Sequence, residues 1–148
     1  MSKATDDPIA QDFARAKKHP DFQLIRLCAD VLMARAAFEA GVSSDPGGNS
    51  DFVNDVVMPL WDRERHAMWL ASKLSPRTAY GLRAKTSVMR MLTTKPNDFA
   101  GDVCNECCQA FVDSFVRDVA AAVEIAAKHQ RHAEWEARHG AGKAVANG

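Results

Sequence analysis

Three cysteines within five positions, Cys104, Cys107 and Cys108, are the residues whose type and spacing best suit chemistry. A C-x-x-C pair can hold a zinc ion or cycle between a dithiol and a disulfide. Such pairs usually occupy a turn or a helix start, whereas Cys107 falls in the middle of an apolar helical stripe. No second C-x-x-C accompanies the first. The pattern favours cysteines that act as small buried apolar residues, with a metal- or redox-responsive site as the alternative.

Two histidines further along the chain, His129 and His132, share one side of a predicted helix and are followed one turn later by a carboxylate. Imidazoles at i and i+3 with such a carboxylate can bind a divalent ion. The same pattern is typical of a solvated helix, in which we expect Arg131 to lie over the ring of Trp135. The cysteines are roughly 40 Å away along a straight helix, so a shared ion would require a dimer or a bend.

Residues 73–95 form a basic segment that contains no acidic residue. Arg77, Arg83 and Arg90 belong to it, and the last two share a face of a predicted helix with Ser87. Such a helix can contact phosphates or an acidic partner. Because aromatic residues do not alternate with the basic ones, the pattern favours a solvated face opposite acidic residues of neighbouring helices.

Asp62 and His66 lie four residues apart and can pair, but no nucleophile or third orienting group is identifiable beside them. Trp61 and Trp69 flank this pair, and we expect them to pack at a helix seam or an interface. Phosphate loops, nucleophile elbows, zincin motifs and dinucleotide fingerprints are absent from the sequence. We therefore predict that the protein is not an enzyme, and we assign no catalytic, cofactor-binding or metal-binding residue.

A long predicted helix, from Asp98 to about His139, must position most of these residues. Apolar residues recur along it at steps of four, which predicts one broad stripe of an α-helix. The stripe consists of Val103, Cys107, Phe111, Phe115, Val119 and Val123. We expect this helix to be the central packing partner of all the others. It is longer than a compact domain is wide, so its charged end should project, bend back or meet a second copy.

Proline and glycine divide the preceding chain into four shorter predicted helices. These helices cover about 8–18, 21–40, 51–73 and 77–92. Gly41 is expected to stop the second of them, and Pro59 should kink or split the third near Val57. Gly81 lies inside the fourth, where glycine is unfavourable, which indicates close contact with another helix.

Composition sets broad limits on the class of protein. The 148 residues carry no formal net charge and are 47% hydrophobic, which suits one domain whose core needs neither disulfide nor metal. No apolar run approaches the about 20 residues that span a bilayer, and the first residues do not resemble a signal peptide. We expect a single helical domain, 1–148, in the cytoplasm, with 1–7 and 140–148 flexible.

The segment Ser75 to Lys85, SPRTAYGLRAK, resembles a motif of small uncharacterised bacterial helical proteins, of the form TPA-T-x-x-GLxAKA. The shared residues are Pro76, Gly81, Leu82, Ala84 and Lys85. Members of that group often occur in prophage or mobile-element neighbourhoods and have no assigned activity. The resemblance therefore implies a helical fold and no particular reaction.

Together these observations predict an all-α fold, a bundle of four to five mostly antiparallel helices around a long C-terminal helix. The function we favour is a non-enzymatic protein–protein interaction or regulatory module without cofactor, homodimeric through the C-terminal helix. Its predicted interaction surface comprises Arg77, Arg83, Arg90, Arg131 and Trp135. The first alternative is a zinc- or other transition-metal-binding, or redox-responsive, protein that uses Cys104, Cys107, Cys108, His129 and His132. The second alternative, less favoured, is nucleic-acid binding through 73–95.

Overall fold

A computed structural model describes residues 15–44, 47, 50–94 and 105–140 of the chain. Within these ranges the protein forms four helices and no strand, which confirms the predicted all-α fold with a long C-terminal helix. The helices are α1 (Phe22–Ser43), α2 (Met58–Ser72), α3 (Ala79–Thr94) and α4 (Asn105–Gly140). None of them combines the length and the apolar character that crossing a membrane requires.

Some expected elements lie outside the described residues. Of the predicted helix at 8–18, only Arg15 and Ala16 are described as helical, and residues 17–21 form turns. The start of the predicted long helix, 98–104, is also outside the description. The chain forms two compact units, Met1–Phe115 and Val116–Gly148.

The core of the first unit is built mainly on α1, which packs against both α2 and α3. Helix α1 contributes Leu24, Leu27, Cys28 and Val31, spaced by three or four residues so that they share one side. The other helices add Ala67, Met68, Ala71, Val88 and Phe111. Within this unit, α1 therefore takes the central place that the sequence suggested for the long helix.

Helices α1 and α2 are antiparallel, as the sequence predicted for neighbouring helices. Gly41 near the end of α1 faces Val57, just before α2, and Leu60 in the first turn of α2. A Cβ built at Gly41 would lie 3.7 Å from each of these side chains. Helix α1 runs through Gly41 and ends at Ser43, so the prediction that Gly41 stops the helix is wrong. A small residue at this position lets the two helices approach, and the chain turns only afterwards.

Pro59 disturbs the helix that contains it in the way its chemistry requires. Proline has no backbone N–H, and its ring crowds the carbonyl four residues earlier. An α-helical turn (Ser50–Phe52) and a π-helical stretch (Val53–Val57) precede α2 without a break. In that stretch the N–H of Met58 donates to the carbonyl of Val53, five residues earlier. The kink predicted near Val57 thus takes the form of a local π-helix.

Candidate interaction surfaces

The start of α3 is held by Thr78 and by the buried carboxylate of Asp21, which lies just before α1. Thr78 Oγ1 accepts the N–H of Gly81 at 3.3 Å, the bond expected of an N-cap. Asp21 in turn accepts the N–H groups of Arg77 and Thr78, both at 2.8 Å, and the Thr78 hydroxyl at 2.6 Å. These donors are already occupied, so they are not available to an external phosphate.

The same contacts explain the Pro76-x-Thr78-x-x-Gly81 spacing. Burial acts to raise the pKa of the Asp21 carboxyl, but hydrogen bonds from Thr78 and Arg77 outweigh it and lower that pKa from its usual 3.8. A Cβ at Gly81 would overlap Asp21 Oδ2, would lie 2.7 Å from Asp21 Cγ and would lie 3.0 Å from Pro76 Cβ. The close contact predicted at Gly81 is therefore made by Asp21, and these motif residues build a helix start.

Lys85 falls within the basic segment 73–95 but belongs to the interior of the first unit. Its side chain is completely buried. Its Nζ donates to Ser114 Oγ and lies 5.7 Å from the centre of the Phe111 ring. Burial raises the pKa of the Cys28 thiol to about 11, although the positive charge of Lys85 acts in the opposite direction. Lys85 therefore has a structural role between α3 and the first turns of α4.

A buried ion pair that was not predicted from the sequence joins α1 to α2. Arg35 Nη2 and Nε lie 2.6 and 3.1 Å from Glu64 Oε1, and only 2% of the Glu64 surface is exposed. Burial raises the pKa of the Glu64 carboxyl, the Arg35 guanidinium opposes this, and Glu39 adds to the rise. Among the described residues, Glu64 Oε2 has no hydrogen-bond partner. Both residues continue apolar helical lines, since Arg35 follows Val31 by four positions and Glu64 precedes Met68 by four.

The cysteines differ from one another in state and burial. Cys28 and Cys107 are free thiols, and Cys108 is disulfide-bonded. Cys28 lies in the core, as a small apolar residue does, and Cys108 packs against that core. Cys104 lies outside the described residues. The disulfide at Cys108 departs from the prediction that the whole cluster serves as plain apolar side chains.

The predicted histidine pair, His129 and His132, is exposed on α4. His132 Nδ1 lies 3.7 Å from Glu136 Oε2, one turn further along the helix. In the described part of the chain, no group of three His, Cys, Asp or Glu side chains is arranged to hold a metal ion. The metal-binding alternative therefore rests on the sequence spacing alone.

Trp135 is 59% exposed and has a different neighbour from the one predicted. Its ring stacks on that of His139, with centroids 4.7 Å apart and planes 20° apart. His139 Nδ1 also lies 2.9 Å from the Trp135 carbonyl oxygen. Arg131 instead lies 3.8 Å from Glu124. The predicted cation–π contact between Arg131 and Trp135 is wrong, because the His139 ring, one turn later, stacks on the Trp135 ring.

The tryptophans of α2 do not enter the core. Trp61 is half-buried, and Trp69 is 40% exposed with Lys73 Nζ 3.7 Å from its ring centroid. This cation–π contact covers one face of the Trp69 ring. Asp62 and His66 are both exposed, and no hydrogen bond joins them in the described structure. Packing of Trp69 into a helix seam is thus not observed in the described part of the chain, and the expected alternative, packing at an interface, stays a prediction.

The exposed side of α3 carries four residues that we call the α3 basic face. They are Tyr80, Arg83, Ser87 and Arg90. Their spacing of three, four and three places them on one side of the helix, and all four are exposed. Neither arginine forms an ion pair with any residue in the described ranges, and the same holds for exposed Arg77. The arginines are solvent-exposed, as expected of a solvated face, but the expected pairing with acidic residues of neighbouring helices is not observed among the described residues.

The segment before α1 lies next to the α3 basic face. The His19 ring meets the Tyr80 ring edge-on, with centroids 6.0 Å apart and planes at 83°. Exposed Arg15 and Lys18 lie within four residues of His19. Tyr80 itself is 68% exposed. The α3 basic face is therefore bordered, at Tyr80, by a segment that carries two exposed cations.

A cleft of about 430 Å³ lies between the start of α1 and the connection from α2 to α3. Its lining includes Asp21, Gln23, Lys73, Ser75 and Arg77. Lys73 and Arg77 would attract an anion, but the Asp21 carboxylate would repel it at close range. A small anionic ligand is therefore poorly suited to this cleft.

The second unit carries an exposed apolar line along α4. Val116, Val123 and Ile125 are 59%, 63% and 55% exposed. Residues at alternating steps of three and four run along one side of this helix, which is the heptad pattern of a coiled coil. We call this line the α4 seam, and its members are Val116, Val119, Val123, Ala126, Gln130, Ala133 and Ala137. Ile125 lies off the seam.

Comparisons of the chain with protein-family models, with curated proteins and with solved structures give no match. The resemblance of the Ser75 to Lys85 segment to small bacterial helical proteins stays a prediction.

Proposed function

We propose that this protein is a non-enzymatic interaction module that self-associates through the α4 seam. The observation that carries the proposal is the exposure of Val116 and Val123, at 59% and 63%, on a regular heptad repeat. Apolar side chains at that spacing are stabilised when a second helix covers them. A second copy of the chain supplies a helix of the same repeat and the same length.

The length and composition of the α4 seam suit such pairing. From Val116 to Ala137 the seam spans three heptads, or about 31 Å of helix. Its first half is valine and its second half is mostly alanine, so helices can approach closely along it. Gln130 is the only polar member, and a polar residue in a seam favours one register over others.

The charges on α4 do not compete with this use of the seam. Lys128 lies 3.8 Å from Glu124, and Arg138 lies 3.8 Å from Glu134, each pair within the same helix. Exposed pairs of this kind contribute only about 0.3–0.5 kcal/mol and are screened by salt. Self-association should therefore depend on apolar contact, and raising the salt concentration should not weaken it.

A matched pair of substitutions tests the proposal. Val123→Lys places a charge in the seam, whereas Ile125→Lys places the same charge on a residue of similar exposure off the seam. Sedimentation velocity over a range of concentrations should show a dimer for the parent chain and for Ile125→Lys, and a monomer for Val123→Lys. A monomeric parent chain at the highest soluble concentration, or equal effects of both substitutions, would refute the proposal.

A redox-responsive function is the second candidate, and the disulfide at Cys108 favours it. The neighbouring Cys107 is a free thiol, so a partner for thiol–disulfide exchange lies beside that bond. Thermal unfolding and sedimentation test this function. They are measured for the oxidised protein, for the protein reduced with excess dithiothreitol, and for Cys108→Ser. If the protein responds to redox conditions, the reduced protein and Cys108→Ser should have the same unfolding temperature and sedimentation behaviour, and both should differ from the oxidised protein. Cytoplasmic location stays a prediction from the sequence.

A further inference from the structure

We propose that the α3 basic face binds the phosphate backbone of duplex DNA. This inference does not depend on self-association, because every residue in it belongs to the first unit. Its starting point is that Arg77, Arg83 and Arg90 are exposed and form no ion pair with the residues that the structure describes.

The charge distribution favours a polyanion. The whole chain has 19 basic and 19 acidic residues, yet residues 65–97 include no acidic residue. Asp21, which contacts the start of α3, is buried and hydrogen-bonded to Arg77 and Thr78. A protein with no net charge can still attract phosphates where its positive charges are concentrated on one face.

The geometry of α3 suits a duplex. From Tyr80 to Arg90 the basic face extends about 15 Å along a straight helix, and the major groove, about 12 Å wide, admits a helix. Thr78 caps the start of α3 by accepting the Gly81 N–H, and Asp21 accepts the Thr78 N–H, so we expect phosphate contacts to come from side chains. Arginines can bond phosphates in two places at once, and the Tyr80 hydroxyl adds a donor at the end of the face.

Single-stranded nucleic acid fits this surface less well. Proteins that bind single strands usually stack successive bases on several aromatic side chains. Tyr80 is the one exposed aromatic residue of the α3 basic face, and the edge-on His19 ring stands beside it. Regularly spaced cations on a rigid helix match a rigid duplex better than a flexible strand.

Fluorescence polarisation with a labelled duplex of about 20 base pairs, at about 50 to 200 mM salt, tests the inference. Arg83→Ala/Arg90→Ala is compared with Arg63→Ala/Arg117→Ala, which removes the same charge from exposed residues of α2 and α4. We expect the parent chain to bind, and the α3 double variant to lose roughly tenfold in affinity with a salt slope reduced by about two. The control should stay within about twofold of the parent chain.

Three outcomes would overturn the inference. The first is no binding by the parent chain at the lowest salt concentration. The second is an equal loss in both double variants, which would show a diffuse charge effect. The third is tighter binding of a single strand of the same length, or of polyglutamate, than of the duplex. Thermal unfolding of each variant confirms that a lost affinity is not lost folding.

Discussion

The carboxylate of Asp21 occupies the space that a side chain at Gly81 would fill. A Cβ built on Gly81 would lie 2.7 Å from Asp21 Cγ, while Asp21 accepts hydrogen bonds from Arg77 and Thr78. One residue before α1 therefore holds the start of α3, and the absence of a side chain at Gly81 permits it. This contact links segments 60 residues apart in sequence without using an apolar side chain.

Substitution of Gly81 and of Gly41, two glycines that lie within helices, should have opposite effects. Gly81→Ala should destabilise the protein by about 1–3 kcal/mol, because the methyl group overlaps Asp21 and crowds Pro76. Gly41→Ala is the matched control: its Cβ would meet Leu60 and Val57 at 3.7 Å, an ordinary contact, so it should stabilise by up to about 1 kcal/mol. Urea unfolding measures both. Stabilisation by Gly81→Ala would contradict the close contact.

Acid should destabilise the protein through Asp21. Its pKa is lower in the folded protein than the usual 3.8, so its stabilising effect is present above that value and is lost as the pH falls through the folded pKa. Asp21→Asn should be less stable than the parent chain at neutral pH, by about 1–3 kcal/mol, and the difference should shrink in acid. Urea unfolding over a pH series measures this. A difference independent of pH would show that the charge on Asp21 does not matter.

The spacing of apolar residues predicted the helices and several of their faces. It did not predict which polar side chains form hydrogen bonds in the interior. Arg83 and Arg90 were correctly placed on one face of α3, and Gly81 was correctly placed at a close contact. The bond between Asp21 and Thr78 could not be foreseen, because 57 residues separate them and their meeting depends on how α1 docks on α3.

Three buried charges did leave a signal in the sequence. Lys85 lies between Gly81 and Val88 on the buried line of α3, at steps of four and three. Arg35 and Glu64 likewise continue apolar lines of α1 and α2. In all three cases a charged residue on an apolar helical line marks a buried polar contact. The central position of α1 was missed for another reason: stripe length does not reveal how many neighbours a helix has.

The buried pair should show strong coupling in a double-mutant cycle. Arg35→Leu removes a guanidinium from the buried Glu64 carboxylate, and Glu64→Leu removes the carboxylate from Arg35, so each should cost about 3–5 kcal/mol. The double variant should lose less than the sum, because no buried charge then lacks its partner from this pair. The exposed pair Arg63 and Asp30, 3.8 Å apart, serves as control with an expected coupling below about 1 kcal/mol. If the losses of the two single variants simply add in the double variant at both pairs, a specific interaction between Arg35 and Glu64 is contradicted.

The pH dependence of the buried pair has the opposite sign to that of Asp21. Burial raises the pKa of Glu64 above its usual 4.5, so its protonated form favours the fold and that contribution is lost as the pH rises through the folded pKa. In Asp21→Asn the carboxyl of Asp21, whose protonation has the opposite effect, is absent. The free energy of unfolding of this variant should therefore increase slightly as the pH falls towards 4.5. No such increase should occur when Glu64→Leu is added.

The two free thiols should differ sharply in reactivity. Burial raises the pKa of the Cys28 thiol to about 11, and only 2% of that residue is exposed, whereas Cys107 is half-buried. Because the thiolate is the reactive form, iodoacetamide at neutral pH should modify Cys107 and leave Cys28 unmodified until urea is added. Peptide mass spectrometry identifies the sites. Rapid modification of Cys28 in the folded protein would show that the α1 core opens readily.

Self-association should depend on the length of the α4 seam. A chain that ends at Ala127 keeps Val116, Val119, Val123 and Ala126 but loses the three later seam positions, and one and a half heptads do not sustain a coiled coil. Light scattering should therefore find association only for the intact chain. Its unfolding temperature should also rise with protein concentration, because association stabilises the folded form by mass action, while that of the shortened chain should stay constant. If the shortened chain associates as strongly as the intact one, the contact lies elsewhere than in the seam.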